Sequence, residues 1–401
     1  MSEKADIVII GGGVMGCAIA YNLAKEGLKP VVIEKSDIGG EASGSNGGGV
    51  RQSARNLKEM PLAMESIQIY GQLHDELGMD VEYVREGNLR LCTSEEELET
   101  MRQAIVNQRE SGLELTMLDR QQVLELNPYV GEKVIGASYC ATDGHVNPFL
   151  VTYGFYLKAK SLGARFFTHE EVKEIQMQKG KVAGVVTDKQ QFATDLVVDA
   201  AGIAGRKVAN MVGLDIPMRP IFSEALITEA YPPLFKQMIG HAKGLFYGRQ
   251  TQHGSFFWGG FVGTEQFIYR EGKPLFHYIG PAISQMVIDY FPVLKNLNVI
   301  RMWSGLIAQM SDAIPVLGYT SEVPGFVFAT GFSGHGFGLA PVIGRLISEL
   351  IMDCQTSMPI NDFCYGRFHK GSEHECSCQG NAACHTVTAV CPNKREWLKS
   401  I

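Results

Sequence analysis

The chain has 401 residues, which at about 150 residues per domain predicts two to three domains. It is 45% hydrophobic and 20% charged, which excludes a collagen-like, coiled-coil or wholly disordered chain. The net charge of −7, with no long basic run, argues against a nucleic-acid partner, and no apolar run reaches the ~18 residues of a membrane span.

No signal-peptide pattern opens the chain, so a cytoplasmic location is expected. Ala5 to Ile10 is a β-branched run that reads as a strand covered on both faces. Gly11, Gly13 and Gly16 then form G-x-G-x-x-G. A helical pattern runs from Val14 to Glu26 and stops at Gly27. Pro30 to Glu34 is a second buried strand, ending in a carboxylate 18 residues after Gly16.

Strand, glycine turn, helix, strand and acid in this order are the pattern of a dinucleotide site. The glycines let the backbone approach a pyrophosphate, and the helix N-terminus offers it free N–H groups. Glu34 would accept from ribose hydroxyls and disfavours a 2′-phosphate, which leaves FAD or NAD. The glycine-rich segment from Ala42 to Arg55 favours FAD, because a flavin ring and ribityl chain need close backbone cover.

Further along, Val81 to Cys92 alternates like a hairpin around Glu86 and Gly87, and Ser94 to Gly112 reads as an exposed helix. Ile221–Thr228, Leu245–Arg249 and Ser255–Phe261 read as strands, and Pro281–Tyr290 as a helix. Leu196 to Ala200 is a strand whose end, Ala201-Gly202, passes under the dinucleotide. A loop from Gly331 to Gly338 feeds an apolar helix from Ala340 to about Met352. Such a helix end would stabilise negative charge on a reduced flavin.

These segments, with Trp303-Ser-Gly-Leu and Ser311-Asp312 to Pro315, resemble the D-amino-acid oxidase-like FAD family, from about Ala5 to about Leu350. Within it, the chain looks most like glycine oxidase and the β subunits of sarcosine oxidase and of proline and opine dehydrogenases. The resemblance implies an α/β fold: a discontinuous FAD-binding Rossmann-like domain, an inserted β-rich substrate domain and a short Cys-rich C-terminal tail. The expected boundaries are 1–80, 144–215 and 311–369 for FAD, 81–143 and 216–310 for substrate, and 370–401 for the tail.

The motifs and the resemblance together assign cofactor contacts to Gly11, Gly13, Val14, Met15, Gly16, Glu34 and Lys35. They add Ser43, Asn46, Gly47, Gly48 and Gly49, then Val172, Ala201, Gly202 and Gly305. The loop before the last helix adds Gly331, Gly334, His335, Gly336, Phe337 and Gly338. On the substrate side, a carboxylate is best anchored by arginine, whose fork matches it bidentately. Glycine oxidase-like members carry that arginine where this chain has Ile307, so Arg51, Arg55 and Arg249 are the candidates. Tyr247 and His335 complete the expected catalytic set, and Tyr247, Trp258 and Trp303 could line an apolar pocket. His145 reads as structural.

No cysteine lies between Gly305 and Asp312, where monomeric sarcosine oxidase-like members tether flavin, so FAD is expected to be noncovalent. No lysine lies between Lys243 and Lys273, the region where those oxidases place one for oxygen reduction; Phe257 or a neighbour stands there. This favours a dehydrogenase that passes electrons to a partner subunit or acceptor protein. Five scattered cysteines are expected to be reduced. Cys376, Cys378, Cys384 and Cys391 form C-x-C-x5-C-x6-C, a candidate iron–sulfur or zinc site, the alternative being a disulfide-bonded or disordered tail. The expected function is oxidation of a C–N bond in a small secondary or D-amino acid, such as sarcosine, proline, hydroxyproline or an opine. The alternatives are a 2-hydroxy-acid dehydrogenase using His145, His253 or His335 as base, and a non-catalytic FAD-carrying electron-transfer subunit.

Overall fold

The computed structural model describes residues 2–261, 275–276 and 278–368. They divide into two units. The first holds residues up to 44, 151–219, and 307 onward; the second holds 45–150 and 220–306.

The first unit is built on a six-stranded sheet. In spatial order the strands are Val316–Tyr319, Phe326–Thr330, Val197–Asp199, Val8–Ile10, Val31–Ile33 and Arg165–Phe167. The pairings from Phe326–Thr330 to Arg165–Phe167 are parallel; Val316–Tyr319 joins antiparallel at one edge. The central strands are buried along their whole length, which is why they read as continuous apolar runs rather than alternating ones. Each fully buried Val or Ile contributes roughly 1.5–3 kcal/mol.

Helix Val14–Lys25 follows the first strand, and Gly27, at φ 94°, ends it in the left-handed region. It packs against helix Gly336–Asp353, where Gly344 lies so close to Ala18 that a Cβ there would sit 2.8 Å from the alanine methyl. That last helix begins at Gly336, four residues before the expected Ala340. The expected loop therefore stops at His335, and Gly336 to Gly338 form the helix's first turn. Glycine's low helix propensity hid this start. A four-stranded sheet, ordered Glu3–Lys4, Gln191–Ala193, Lys181–Thr187 and Val172–Gln178, completes this unit's strands.

The second unit carries most of an eight-stranded sheet. Its order is Val299–Met310, Met218–Ala230, Ser255–Gly260, Phe246–Gln250, Met238–His241, Asn88–Cys92, Gly136–Cys140 and Thr116–Asp119. Met238–His241 and Asn88–Cys92 pair in parallel, bringing together two stretches of chain roughly 150 residues apart. Trp258, Phe246, Phe256, Phe291 and Ile283 fill the core beneath the sheet. Helix Glu95–Glu110 forms as expected, with the Ser94 hydroxyl capping it by accepting from the Glu97 N–H at 3.2 Å. The described residues include no helix long and apolar enough to cross a membrane.

Two expectations need correction. Val81 to Cys92 is not a hairpin: only Asn88–Cys92 is a strand, and Val84 makes an isolated bridge to His145. Gly87 is left-handed, at φ 87°, and the Tyr139 ring fills the space a side chain there would need. The turn thus hands the chain to a distant strand instead of folding it back on itself. Among the five scattered cysteines, Cys17, Cys92 and Cys140 are free and buried, but Cys354 and Cys364 are disulfide-bonded. Cys376, Cys378, Cys384 and Cys391 lie outside the described residues. Among the described residues, no group of three or more His, Cys, Asp or Glu could hold a metal ion.

Candidate active site

In the first unit the glycine turn is a cradle that side chains would fill. A Cβ at Gly11, where φ is 112°, would collide with the Ala200 carbonyl and lie 3.0 Å from the Ala201 Cα. A Cβ at Gly16 would collide with the Gly11 carbonyl. Gly13 precedes the helix in extended conformation, and Val14, Met15 and Gly16 form its first turn. The Val14 N–H donates to the Ser43 hydroxyl at 2.9 Å, so Ser43 satisfies one of the N–H groups at the start of this helix.

Glu34 is buried at 9% exposure. Its carboxylate accepts from Gly12 N at 2.7 Å, and from Ser36 N and Oγ at 2.8 and 2.9 Å. A carboxylate offers about four acceptor positions, so a place remains for a ribose hydroxyl. Lys35 is exposed and 3.9 Å from Glu41. Val172 is packed in the apolar core of this unit. Ala201 N donates to Asp199 Oδ1 at 3.1 Å, and Gly202, at φ 55°, has open space where a side chain would stand.

Asp199 is a group that sequence pattern alone did not single out. It is fully buried, its Oδ2 has no hydrogen-bond partner, and burial pushes its pKa up to about 8, opposed by the Ala201 N–H. The adjoining Ala-Ala-Gly stood out as backbone; the acid beside it was the available signal. Gly331 and Gly334 are left-handed, at φ 75° and 86°, and Gly334 approaches Ile307. His335 stands at the N-cap of the last helix, its N–H donating to the Phe332 carbonyl at 2.8 Å, and Gly336, Phe337 and Gly338 follow it. The N-terminal end of such a helix suits an electron-rich flavin edge. Backbone cradle, helix N-termini and acidic strand end together fit FAD.

In the second unit the glycine-rich segment is clamped from several directions. Gly47 has the Phe257 ring where a side chain would go, and Gly48, at φ 73°, has the Val146 carbonyl. Gly49 faces Met238, and Gly305 lies against Ser45. Asn46 Oδ1 accepts from Gly48 N at 2.7 Å, and Trp303 Nε1 donates to the Ser45 carbonyl at 3.0 Å. Arg249 Nε donates to the Gly47 carbonyl at 2.6 Å. Arg249 therefore holds the loop. Burial lowers the Arg249 pKa to about 10, opposed by Glu82, and raises that of Tyr247.

The Phe257 ring lies 5.7 Å from those of Tyr247 and Trp303, tilted by 49° and 51°. Trp258 points to the other side of its strand and is core, at 1% exposure, so it does not join Tyr247 and Trp303. His145 is buried and neutral: burial first, then Arg249, lowers its pKa to about 3, and Nε2 contacts the Lys236 carbonyl at 3.0 Å.

Arg55 is buried at 7% exposure. Its Nε donates to the Arg51 carbonyl at 3.1 Å, while Nη1 has no hydrogen-bond partner. Burial, then repulsion from Arg51, lowers its pKa to about 9; Glu59 and Asp143 oppose this. Arg90, which no sequence motif marked, adds to the cationic field; its Nη2 donates to the Ala242 carbonyl at 2.8 Å. Asp143 was also missed. It opens the Asp143-Gly-His145 run that drew attention only to its histidine.

Known proteins fit this geometry. An opine oxidase subunit of Agrobacterium tumefaciens (strain Ach5) is 29% identical over 385 residues, which is 91% of this chain and 98% of that protein. Glycine oxidase of Bacillus subtilis (strain 168) is 28% identical over 88% of this chain and 94% of its own. The crystal structure of L-proline dehydrogenase from P. horikoshii superposes with a TM-score of 0.87 at 31% identity, covering 93% of this chain and 100% of that one. The FAD dependent oxidoreductase family, DAO, matches residues 6–350. A cradle that admits only glycine, carried on a fold shared along nearly the whole chain, leaves one assignment: the protein belongs to the DAO family and is an FAD-dependent oxidoreductase.

Proposed function

We propose that this protein oxidises the C–N bond of a small, carboxylate-bearing secondary or D-amino acid, as one component of a multi-subunit dehydrogenase. Bound FAD, held noncovalently, supplies the hydride acceptor at flavin N5. The chain binds the amine in its neutral form, anchors the carboxylate and shields the reacting carbon from water; the imine product hydrolyses after release.

The observation that carries this reading is the buried Arg55 guanidinium, with an unpartnered Nη1 and Arg51 beside it. A buried cation with a free donor suits a carboxylate, and a charge-assisted bond there would be worth about 1.5–3 kcal/mol. Ile307 stands where the glycine oxidase-like pattern carries an arginine, and with Arg249 bonded to the Gly47 carbonyl this favours Arg51 and Arg55 as anchors. The Tyr247, Phe257 and Trp303 rings suit the apolar part of a small amino acid. The lack of a lysine between Lys243 and Lys273, where Phe257 or a neighbour stands, favours an acceptor other than oxygen. The name of the Agrobacterium relative, one subunit of an opine oxidase, supports a partner subunit. An iron–sulfur cluster held by the four tail cysteines would be a second outlet.

A hydroxy-acid substrate would need a histidine base. His145 is buried, neutral and engaged at Nε2, and His253 is 84% exposed and 3.8 Å from Glu82, so neither recommends that reading. The test is anaerobic mixing of the FAD-loaded protein with amino acids and with 2-hydroxy acids. Bleaching of the flavin by a secondary or D-amino acid alone is expected. Bleaching by hydroxy acids alone, or by neither class, would overturn the proposal.

A further inference from the structure

Asp143 is fully buried, and its hydrogen bonds converge on one turn. Oδ1 accepts from Gln52 N at 2.8 Å and from Ser53 N at 3.4 Å. Oδ2 accepts from the Ser53 hydroxyl and, at 3.5 Å, from Asn88 Nδ2. Asn88 Nδ2 also donates to Ser53 Oγ at 3.2 Å, closing a buried triangle of Asp143, Ser53 and Asn88. The next residue, Ala54, is left-handed at φ 54°, a conformation L residues rarely adopt. Its N–H donates to Gln108 Oε1 at 2.7 Å.

The consequence of this turn is the placement of Arg55. The guanidinium is folded back over the Arg51 carbonyl and buried with Nη1 unsatisfied, against repulsion from Arg51 and Arg90. Stability alone would not favour a left-handed alanine followed by a buried, incompletely bonded cation. Asp143 offsets both, as the acceptor that fixes the turn and as a negative charge that attracts Arg55.

We propose that Asp143 is a positioning residue, which fixes the Gln52–Arg55 turn so that the Arg55 guanidinium is held ready for the substrate carboxylate. This rests on the carboxylate-binding reading of Arg55 given above. Asp143 touches neither substrate nor cofactor in this role; it acts through the turn. Asn88 and Gln108 support it, each by a single bond to the same turn.

The test uses the FAD-loaded protein, with acetate as carboxylate probe read by perturbation of the flavin spectrum. KM and kcat are read with whichever amino acid reduces the wild type. Asp143→Asn places an amide against Ser53 and Asn88 and removes the charge. It is expected to weaken acetate binding and raise KM by about 10-fold or more, with a much smaller effect on kcat. The double variant D143N/N88D returns one carboxylate and one amide to the triangle and is expected to recover most of the loss. Should Asp143→Asn fail to fold, Ser53→Ala removes a single bond to the carboxylate and is expected to raise the acetate Kd by about 3-fold. Wild-type acetate affinity and KM in folded Asp143→Asn, or in Ser53→Ala where that is the variant in hand, would overturn the positioning role alone. A double variant no better than Asp143→Asn would do the same. A wild type that binds no acetate and is reduced by no carboxylated amine would overturn the functional reading, and the positioning role with it.

Discussion

The two units hold their chemistry in different ways. In the first, the candidate binding surface is backbone: Gly11 and Gly16 admit no side chain, and Glu34 braces the turn through Gly12 N. In the second, side chains are the surface, and each is placed by a partner remote in sequence. Gln52 meets Asp143 across 91 positions, Arg249 meets Gly47 across 202, and Trp303 meets Ser45 across 258. A backbone site can be written in one short motif, because φ angles and close approaches are local. A side-chain site of this kind is defined only once strands have paired.

Substitutions can test that division. The largest effect is expected at Gly11→Ala, where a methyl meets the Ala200 carbonyl at a φ that favours glycine. The protein should lose visible flavin absorbance on purification and about 2–4 kcal/mol of stability in chemical denaturation. Normal flavin content would mean that the cradle is not the cofactor's seat.

Next is the pH dependence of the first unit. Asp199 has a folded pKa of about 8 against an ordinary value of 3.8, so the folded state keeps a proton that the unfolded chain releases. Its stabilising effect is complete below about pH 4 and is lost progressively as pH rises from about 4 to about 8. Asp199→Asn should flatten this slope and gain on the order of a few kcal/mol over wild type near pH 8. Parallel stability–pH curves for the two proteins would show that Asp199 is ionised in the folded state.

The second unit should respond in substrate binding rather than in cofactor content. Arg55→Ala should raise KM for the carboxylated substrate by about 10- to 100-fold and leave FAD bound. Loss of flavin in this variant would break the comparison, because a second-unit side chain would then be holding the cofactor. The smallest effect is expected at Glu34→Gln, which keeps an acceptor for Gly12 N but loses the charge. A weakening of FAD affinity of about 5- to 10-fold is expected in titration of the apoprotein. No change would remove Glu34 from the ribose contacts.

Residue patterns were informative where neighbours in sequence are neighbours in space. The Val8–Ile10 strand, the glycine turn and the Val14–Lys25 helix were legible because burial on both faces, glycine spacing and the stop at Gly27 all agree. Ser94 announced its helix in the same way. Val81–Cys92 misled because alternation marks a strand without naming its partner, and Gly87 sends Asn88–Cys92 to Gly136–Cys140 and Met238–His241. Trp258 and Trp303 looked alike in sequence; strand register buried the first and bonded the second to Ser45.

By itself, then, the sequence determined the nucleotide half of this protein: a glycine cradle, an acid at the end of the next strand and the family that uses them. Those features follow from local φ preferences and from continuous apolar runs, which need no knowledge of distant chain. Tertiary structure alone decided which arginine is buried with a free donor, that Arg249 and the Phe257 ring clamp Gly47, and that Asp143 fixes the turn before Arg55. In sequence those charged and aromatic groups stand as equals. Only burial and long-range pairing separate them, because the energy of a buried charge depends on what the folded chain sets beside it.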